Sequence, residues 1–179
     1  LANLRSQLQK KDYGIVHLAT HATFESGNLE DSYLQLWKEQ LALSKVDSLQ
    51  LSDAELNLLV LSACNTAMGD DTSEYGFAGF AVNAGVPSTL ASLWPVSDEG
   101  TLGFMSQFYA QLGEASIRVK ALQQAQLSMI NGDVSIIDGT VYGSAGEAIA
   151  HIDTLDESGR WDFSHPFYWS AFTMIGNPW

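Results

Sequence analysis

Two residues with reactive side chains directly follow predicted β-strands. Cys64, the only cysteine in the chain, comes after a predicted strand at 57–63, and His21 comes after one at 13–20. Ligands and catalytic groups of parallel sheets gather at the carboxyl ends of the strands. If the two strands are parallel neighbours, thiol and imidazole converge at one sheet edge. An imidazole that takes up the proton of a thiol equips a site for amide hydrolysis without metal or cofactor.

Several of the reactive side chains in this part of the sequence also have a purely structural interpretation. Free cysteine is among the most buried residue types, so Cys64 alone fits a small core residue equally well. His17 lies inside the strand at 13–20, and we expect it to be a structural core residue. The acidic pair Asp70 and Asp71, close behind Cys64, is expected to lie in a solvated loop.

Strands and helices alternate along the chain. Apolar runs predict strands at 57–63, 89–94 and 168–175 as well as at 13–20. Periodic apolar residues predict helices at 1–11, 76–84, 98–112 and 116–130. This order is typical of an α/β domain with a mainly parallel sheet flanked by helices. The run Leu58–Leu61 is apolar throughout, which places its strand in the middle of the sheet.

The remaining segments give weaker patterns. Two short apolar runs on either side of Lys38-Glu39 predict a hairpin with those two residues as its turn. Residues 133–164 have no clear period, and we expect a loop there with a helical stretch at 144–152.

The two long helices have predicted caps and buried faces. Ser97 or Asp98 is expected to cap the first and Ser116 the second, with Gly113 and Gly132 as their ends. The predicted core-facing residues are Leu102, Met105, Phe108 or Tyr109, Leu112, Val119, Leu122, Ala125 and Met129.

Composition limits the classes of partner. The 179 residues carry 21 Asp and Glu against 8 Lys and Arg, a net charge of −13, which argues against nucleic acid and anionic membranes. No apolar run approaches the roughly 20 residues of a membrane span. A single cysteine favours a reducing compartment, so we expect a cytoplasmic protein. The length predicts a single domain, residues 1–179, and the absence of an initial Met predicts that it is part of a longer chain.

Four ordered motifs resemble the CHAT domain, a caspase-like domain related to separases that is common in bacteria and often fused to tetratricopeptide repeats. They are HLATHATF at 17–24, LVLSACNTAMG at 59–69, GFAGFAVNAGVPSTLASLWPVSDEGT at 76–101 and HPFYWSAFTMIGNP at 165–178. The resemblance implies a caspase-like fold whose further N-terminal strands are missing here. It also implies a C-terminal position in a longer chain with a repeat domain.

The resemblance implies a cysteine endopeptidase with His21 and Cys64 as its dyad and a protein or peptide as its substrate. The backbone amides of Ala22 and Cys64 would form the oxyanion hole. Asp98 matches an acidic position of separases that receives a basic side chain, although it is equally well a helix cap. Family members usually carry Gly where this chain has Ala22. That departure favours an alternative, an inactive caspase-like scaffold for protein–protein interaction.

Overall fold

The computed structural model describes residues 1–10, 13–25, 28–63, 76–152 and 159–179. The α-helices within these ranges are α1 (Ala2–Lys10), α2 (Gly76–Asn83), α3 (Asp98–Glu114) and α4 (Arg118–Ile130). The β-strands are β1 (Ile15–Leu18), β2 (Ala22–Thr23), β3 (Tyr33–Leu36), β4 (Glu39–Ala42), β5 (Leu58–Leu61), β6 (Ser88–Ser92), β7 (Ser135–Ile137), β8 (Thr140–Tyr142), β9 (Ala148–His151), β10 (Arg160–Asp162) and β11 (Phe172–Gly176). Short 3₁₀ helices lie at Leu43–Leu49, Leu51–Asp53 and Pro166–Tyr168.

The chain forms two compact units. The first comprises Leu1–Pro95 and Phe172–Pro178, and the second comprises Val96–Ala171 and Trp179. The first unit holds the main sheet, in the order β1-β5-β6-β11. β5 is parallel to both β1 and β6, whereas β11 runs antiparallel to β6. The predicted α/β architecture with a mainly parallel sheet is therefore confirmed.

β5 occupies the position that its sequence predicts. Its residues Leu58–Leu61 are all at most 5% exposed, so both faces of the strand are covered. On one face, Leu59 and Leu61 join a core with α1, α2 and the β3–β4 hairpin, to which Leu8, Phe77 and Leu41 contribute. The gain from burying leucine side chains, about 1.5–3 kcal/mol each, makes this face a strong anchor for the strand.

β1 forms one edge of the main sheet. Within the described ranges it pairs with β5 alone, and Ile15 at its start is 43% exposed. Val16 and Leu18 are partly buried against the same core as β5. β1 is therefore an edge strand of the described sheet.

The hairpin in the first unit turns one residue earlier than predicted. Leu36 pairs with Glu39, so the turn is Trp37-Lys38 and not Lys38-Glu39. Lys38 adopts a left-handed backbone conformation with φ of 64°. The register follows from the cross-strand pair of Leu34 and Leu41, which are both buried.

The second unit contains a small antiparallel sheet that the sequence analysis missed. Its order is β10-β7-β8-β9, so the predicted helix at 144–152 is wrong, and the described part of the predicted loop at 133–164 contains four strands. β7 and β8 are joined by Asp138-Gly139, both at positive φ (47° and 74°). Asp-Gly is a strong signal for a two-residue hairpin, and the strands beside it are too short to show a period.

The helices α3 and α4 begin and end close to their predicted bounds but differ in detail. Ser97 caps α3 by accepting a hydrogen bond from the Gly100 amide at 2.9 Å, while Ser116 does not cap α4, whose N-cap is Ile117. α3 continues past Gly113 to Glu114, whereas α4 ends before Gly132 as predicted. Predicted core positions that are buried are Met105, Phe108, Leu122, Ala125 and Met129.

Three other predicted core positions are wrong or only half-buried. Val119 is 38% exposed, and Leu102 and Leu112 are half-buried. The stripe of α3 that is buried runs through Gly103 and Phe104 instead, because a glycine there lets Val134 approach closely. A Cβ at Gly103 would lie 2.7 Å from the Val134 Cγ1 atom.

The last strand starts later than predicted. Pro166–Tyr168 form a 3₁₀ turn, and β11 begins at Phe172 rather than at residue 168. The side chain of His165 accepts a hydrogen bond from the Phe167 amide, and the Trp169 indole donates one to the Ser164 carbonyl. These local bonds favour a turn over an extended strand.

The burial of Phe108 provides a test of the α3 face. Phe108 is fully buried, so Phe108→Ala should lower the free energy of unfolding by about 3–5 kcal/mol through lost burial and a residual cavity. Leu127→Ala on α4, where the side chain is 41% exposed, serves as the control and should cost far less. Urea denaturation of both variants measures the difference, and equal midpoints would contradict the assignment of the face.

Candidate active site

The parallel pairing of β1 and β5 brings the ends of the two predicted site strands to one sheet edge. Leu18, the last residue of β1, pairs with Leu61, the last residue of β5. His21 follows β1 by three residues, at the same edge. Cys64, Asp70 and Asp71 lie outside the described residues. The neighbouring parallel strands predicted from sequence are thus confirmed, and the dyad itself stays a prediction.

His21 lies in the short connection between β1 and β2. Its side chain is exposed, and its carbonyl oxygen accepts a hydrogen bond of 2.8 Å from the Gln35 amide of β3. The Thr20 hydroxyl donates to the Gln35 carbonyl. The backbone on which the imidazole is mounted is therefore held by β3 while the imidazole itself stays accessible.

Ala22 has an ordinary β conformation, and its amide is directed away from β3. It pairs with Leu34 in an antiparallel ladder, beside the hydrogen bond from the Gln35 amide to the His21 carbonyl. Hydrogen-bonded and non-hydrogen-bonded pairs alternate in such ladders, so Ala22 and Leu34 form a non-hydrogen-bonded pair. The Ala22 N–H therefore remains available for another acceptor, and this backbone conformation does not require glycine.

His17 is not the core residue that the sequence analysis expects. It belongs to an edge strand and keeps an exposed side chain whose Nε2 atom lies 2.8 Å from the Ser62 hydroxyl oxygen. Partial burial lowers its pKa and favours the neutral imidazole. An apolar run indicates a strand but not whether that strand has a neighbour on both sides, which is why the prediction failed.

A serine of β6 contacts the segment that follows β5, to which Ser62 belongs. Ser92, at the end of β6, is fully buried and donates a hydrogen bond from its hydroxyl to the Ala63 carbonyl. Sequence reasoning missed Ser62 and Ser92, although both are polar residues at the carboxyl ends of buried strands. Alternation of side chains across the sheet, together with the register, places His17, Ser62 and Ser92 on the same face.

Asp98 is the first residue of α3 and is exposed. The capping interpretation of this residue is wrong, because Ser97 supplies the cap. A carboxylate in the first turn still interacts favourably with the helix dipole. Asp98 belongs to the second unit, whereas His21 belongs to the first.

Two classes of feature were sought in the described ranges. No cluster of His, Asp and Glu there has an arrangement that fits a metal ion. None of the helices in the same ranges combines the length and apolar character required to cross a bilayer.

The lowered pKa of His17 predicts how its contribution to stability depends on pH. As the pH falls, His17 of the unfolded chain takes up a proton near the ordinary histidine pKa of about 6.5, whereas His17 of the folded chain takes it up only at lower pH. The folded state is therefore most stable above that pH, and this part of its stability is lost as the pH falls through the pKa of the folded state. The difference in urea midpoint between the parent and His17→Gln should shrink from pH 7.5 to pH 5. A difference that stays constant would contradict the shift.

The sequence was compared with curated proteins and with models of protein families. No curated protein matches the chain. The model of the CHAT domain family matches residues 1–177, which is nearly the whole sequence. The chain therefore belongs to the CHAT domain family, a caspase-like family related to peptidases.

Proposed function

We propose that the protein is a cysteine endopeptidase in which His21 and Cys64 form the catalytic dyad. The observation that carries this proposal is the register of the two strands. β1 and β5 pair in parallel at a constant separation of 43 residues, from Leu18 to Leu61. The same separation of 43 residues lies between His21 and Cys64 in the sequence. Family membership supports peptidase chemistry, and the chain contains no other cysteine.

The dyad divides hydrolysis into two steps. His21 accepts the thiol proton, and the Cys64 thiolate attacks the scissile carbonyl carbon to form a tetrahedral oxyanion. The C–N bond then breaks, and the imidazolium protonates the leaving amine. Water attacks the resulting thioester with His21 as the base, which releases the new carboxyl group and restores the thiol. No metal or cofactor takes part in these steps.

The backbone amides of Ala22 and Cys64 stabilise the oxyanion in this proposal. The orientation of the Ala22 N–H away from β3 supports that role, since the sheet ladder does not consume this donor. The same observation weakens the alternative of an inactive scaffold. One ground for that alternative is alanine in place of glycine, and the β conformation of Ala22 accommodates either residue.

The proposed substrate is a protein or peptide, encountered in the cytoplasm. A repeat domain elsewhere in the full-length chain would select it. The net charge of −13 attracts basic segments and repels acidic ones. Asp98 is proposed to receive an Arg or Lys side chain immediately before the cut bond. Its exposure leaves the carboxylate free to bind a guanidinium through a bidentate, charge-assisted pair.

Substitution of the dyad tests the proposed activity. Cys64→Ala should abolish cleavage of a peptide library, and His21→Ala should remove most of it, because each variant removes one chemical partner. His151→Ala, which removes an exposed histidine of the second unit, is the control and should leave cleavage unchanged. Circular dichroism checks folding. Parental rates in Cys64→Ala would place the nucleophile elsewhere, and a parent that cleaves nothing would favour the scaffold.

The cleavage preference tests Asp98. Asp98→Ala should reduce the preference for Arg or Lys before the cut bond by about 30- to 5,000-fold, as expected for the loss of one partner of an ion pair that the bound substrate shields from water. Glu99→Ala removes a carboxylate from the same first helical turn and serves as the matched control. A basic preference that survives Asp98→Ala would assign the pocket to another carboxylate. A preference for Asp would contradict the basic pocket altogether.

A further inference from the structure

The segment that joins β5 to Cys64 is held from both neighbouring strands. β5 ends at Leu61, so only Ser62 and Ala63 separate its ladder from the nucleophile of the proposed dyad. The Ser62 hydroxyl lies 2.8 Å from the Nε2 atom of His17 on β1. The Ala63 carbonyl accepts a hydrogen bond from Ser92 on β6. One contact comes from each side of the central strand.

We propose that His17 and Ser92 are positioning residues that clamp Ser62 and Ala63 and so fix the backbone that leads from β5 to Cys64. This inference rests on the proposed function, since it assigns the clamp a role only if Cys64 is the nucleophile. The role assigned to both residues is to hold this segment, not to transfer a proton or to bind the substrate.

The clamp is effective because a short chain segment amplifies small movements. Ser62 and Ala63 together span up to about 7 Å. If neither residue were held by a hydrogen bond, a change in their backbone angles would move the side chain that follows them. A displacement of about 1 Å in a catalytic group costs about 100-fold in rate. The two hydrogen bonds restrain both residues of the segment, one through its side chain and the other through its backbone.

Burial makes the Ser92 contact particularly sensitive. Ser92 and Ala63 are both buried, so bulk water does not replace the donor that the Ala63 carbonyl loses when the Ser92 hydroxyl is removed. The His17 contact is on the exposed edge strand, where water competes for both partners. Removal of the Ser92 hydroxyl should therefore have the larger effect of the two.

The experiment compares variants of the clamp with matched controls on the peptide that the parent cleaves fastest. Ser92→Ala, Ser62→Ala and His17→Ala remove the contacts. His17→Gln keeps a side-chain amide that can reach the Ser62 hydroxyl. Ser88→Ala is the control for Ser92, because Ser88 is a fully buried serine on the same face of β6 whose hydroxyl donates to the Asn177 carbonyl. His151→Ala is the control for His17, because His151 Nδ1 lies 3.0 Å from the Thr140 hydroxyl.

The expected result is a loss in kcat with KM nearly unchanged. Ser92→Ala should lower kcat by about 10- to 100-fold, and Ser62→Ala and His17→Ala should lower it by about 10-fold. His17→Gln should recover most of the parental kcat. Ser88→Ala should lower the thermal midpoint about as much as Ser92→Ala while it leaves kcat unchanged, which a merely structural role for Ser92 would not produce.

Three results would overturn the inference: the first two leave the proposed function intact, and the third replaces its nucleophile. Equal kcat losses in Ser88→Ala and Ser92→Ala would show a general effect of stability. Parental kcat in the clamp variants would show that the contacts do not position the nucleophile. Labelling of Ser62 by a fluorophosphonate probe would make His17 the base of a serine nucleophile instead. A parent that cleaves no peptide refutes the proposed function itself, and the clamp with it.

Discussion

The parallel pairing of β5 with β1 and β6 is the constraint on which the site depends. All four side chains of β5 are buried, two on each face, so a shift of register by one residue would exchange its two buried faces. The leucines that face α1 and α2 therefore fix which residues of the neighbouring strands are level with one another. The position of every polar group at the carboxyl edge follows from that register.

Polar groups at the carboxyl ends of the sheet strands form hydrogen bonds with one another. A buried hydroxyl without a partner is costly, and Ser92 meets the requirement by donating to the Ala63 carbonyl. That carbonyl has itself left the sheet ladder and needs a donor. The same bond thus satisfies the Ser92 hydroxyl and the Ala63 carbonyl together. In the proposed site it would also position Cys64, since stability and positioning both need a single conformation at the end of β5.

The small sheet β2-β3-β4 holds the backbone at His21 and Ala22. The Gln35 amide holds the His21 carbonyl, and the alternating pattern of the ladder leaves the Ala22 amide directed elsewhere. A backbone donor that a sheet holds in place but does not consume needs no reorganisation when negative charge develops beside it. The proposed oxyanion role of the Ala22 amide depends on this backbone geometry, so alanine would serve in it as well as glycine.

The sequence by itself determined the α/β class, the buried central strand and the two strands that end near His21 and Cys64. Those features depend on apolar runs and their alternation with helices, which are local properties of the chain. The tertiary structure alone decided that β1 lies at an edge, which leaves His17 exposed rather than in the core, and that Ser62 and Ser92 meet the exit of β5. The antiparallel sheet of the second unit, too, emerged only from pairing between strands of three or four residues. Edge position, register and contacts between distant strands depend on which segments become neighbours, and no local pattern encodes that choice.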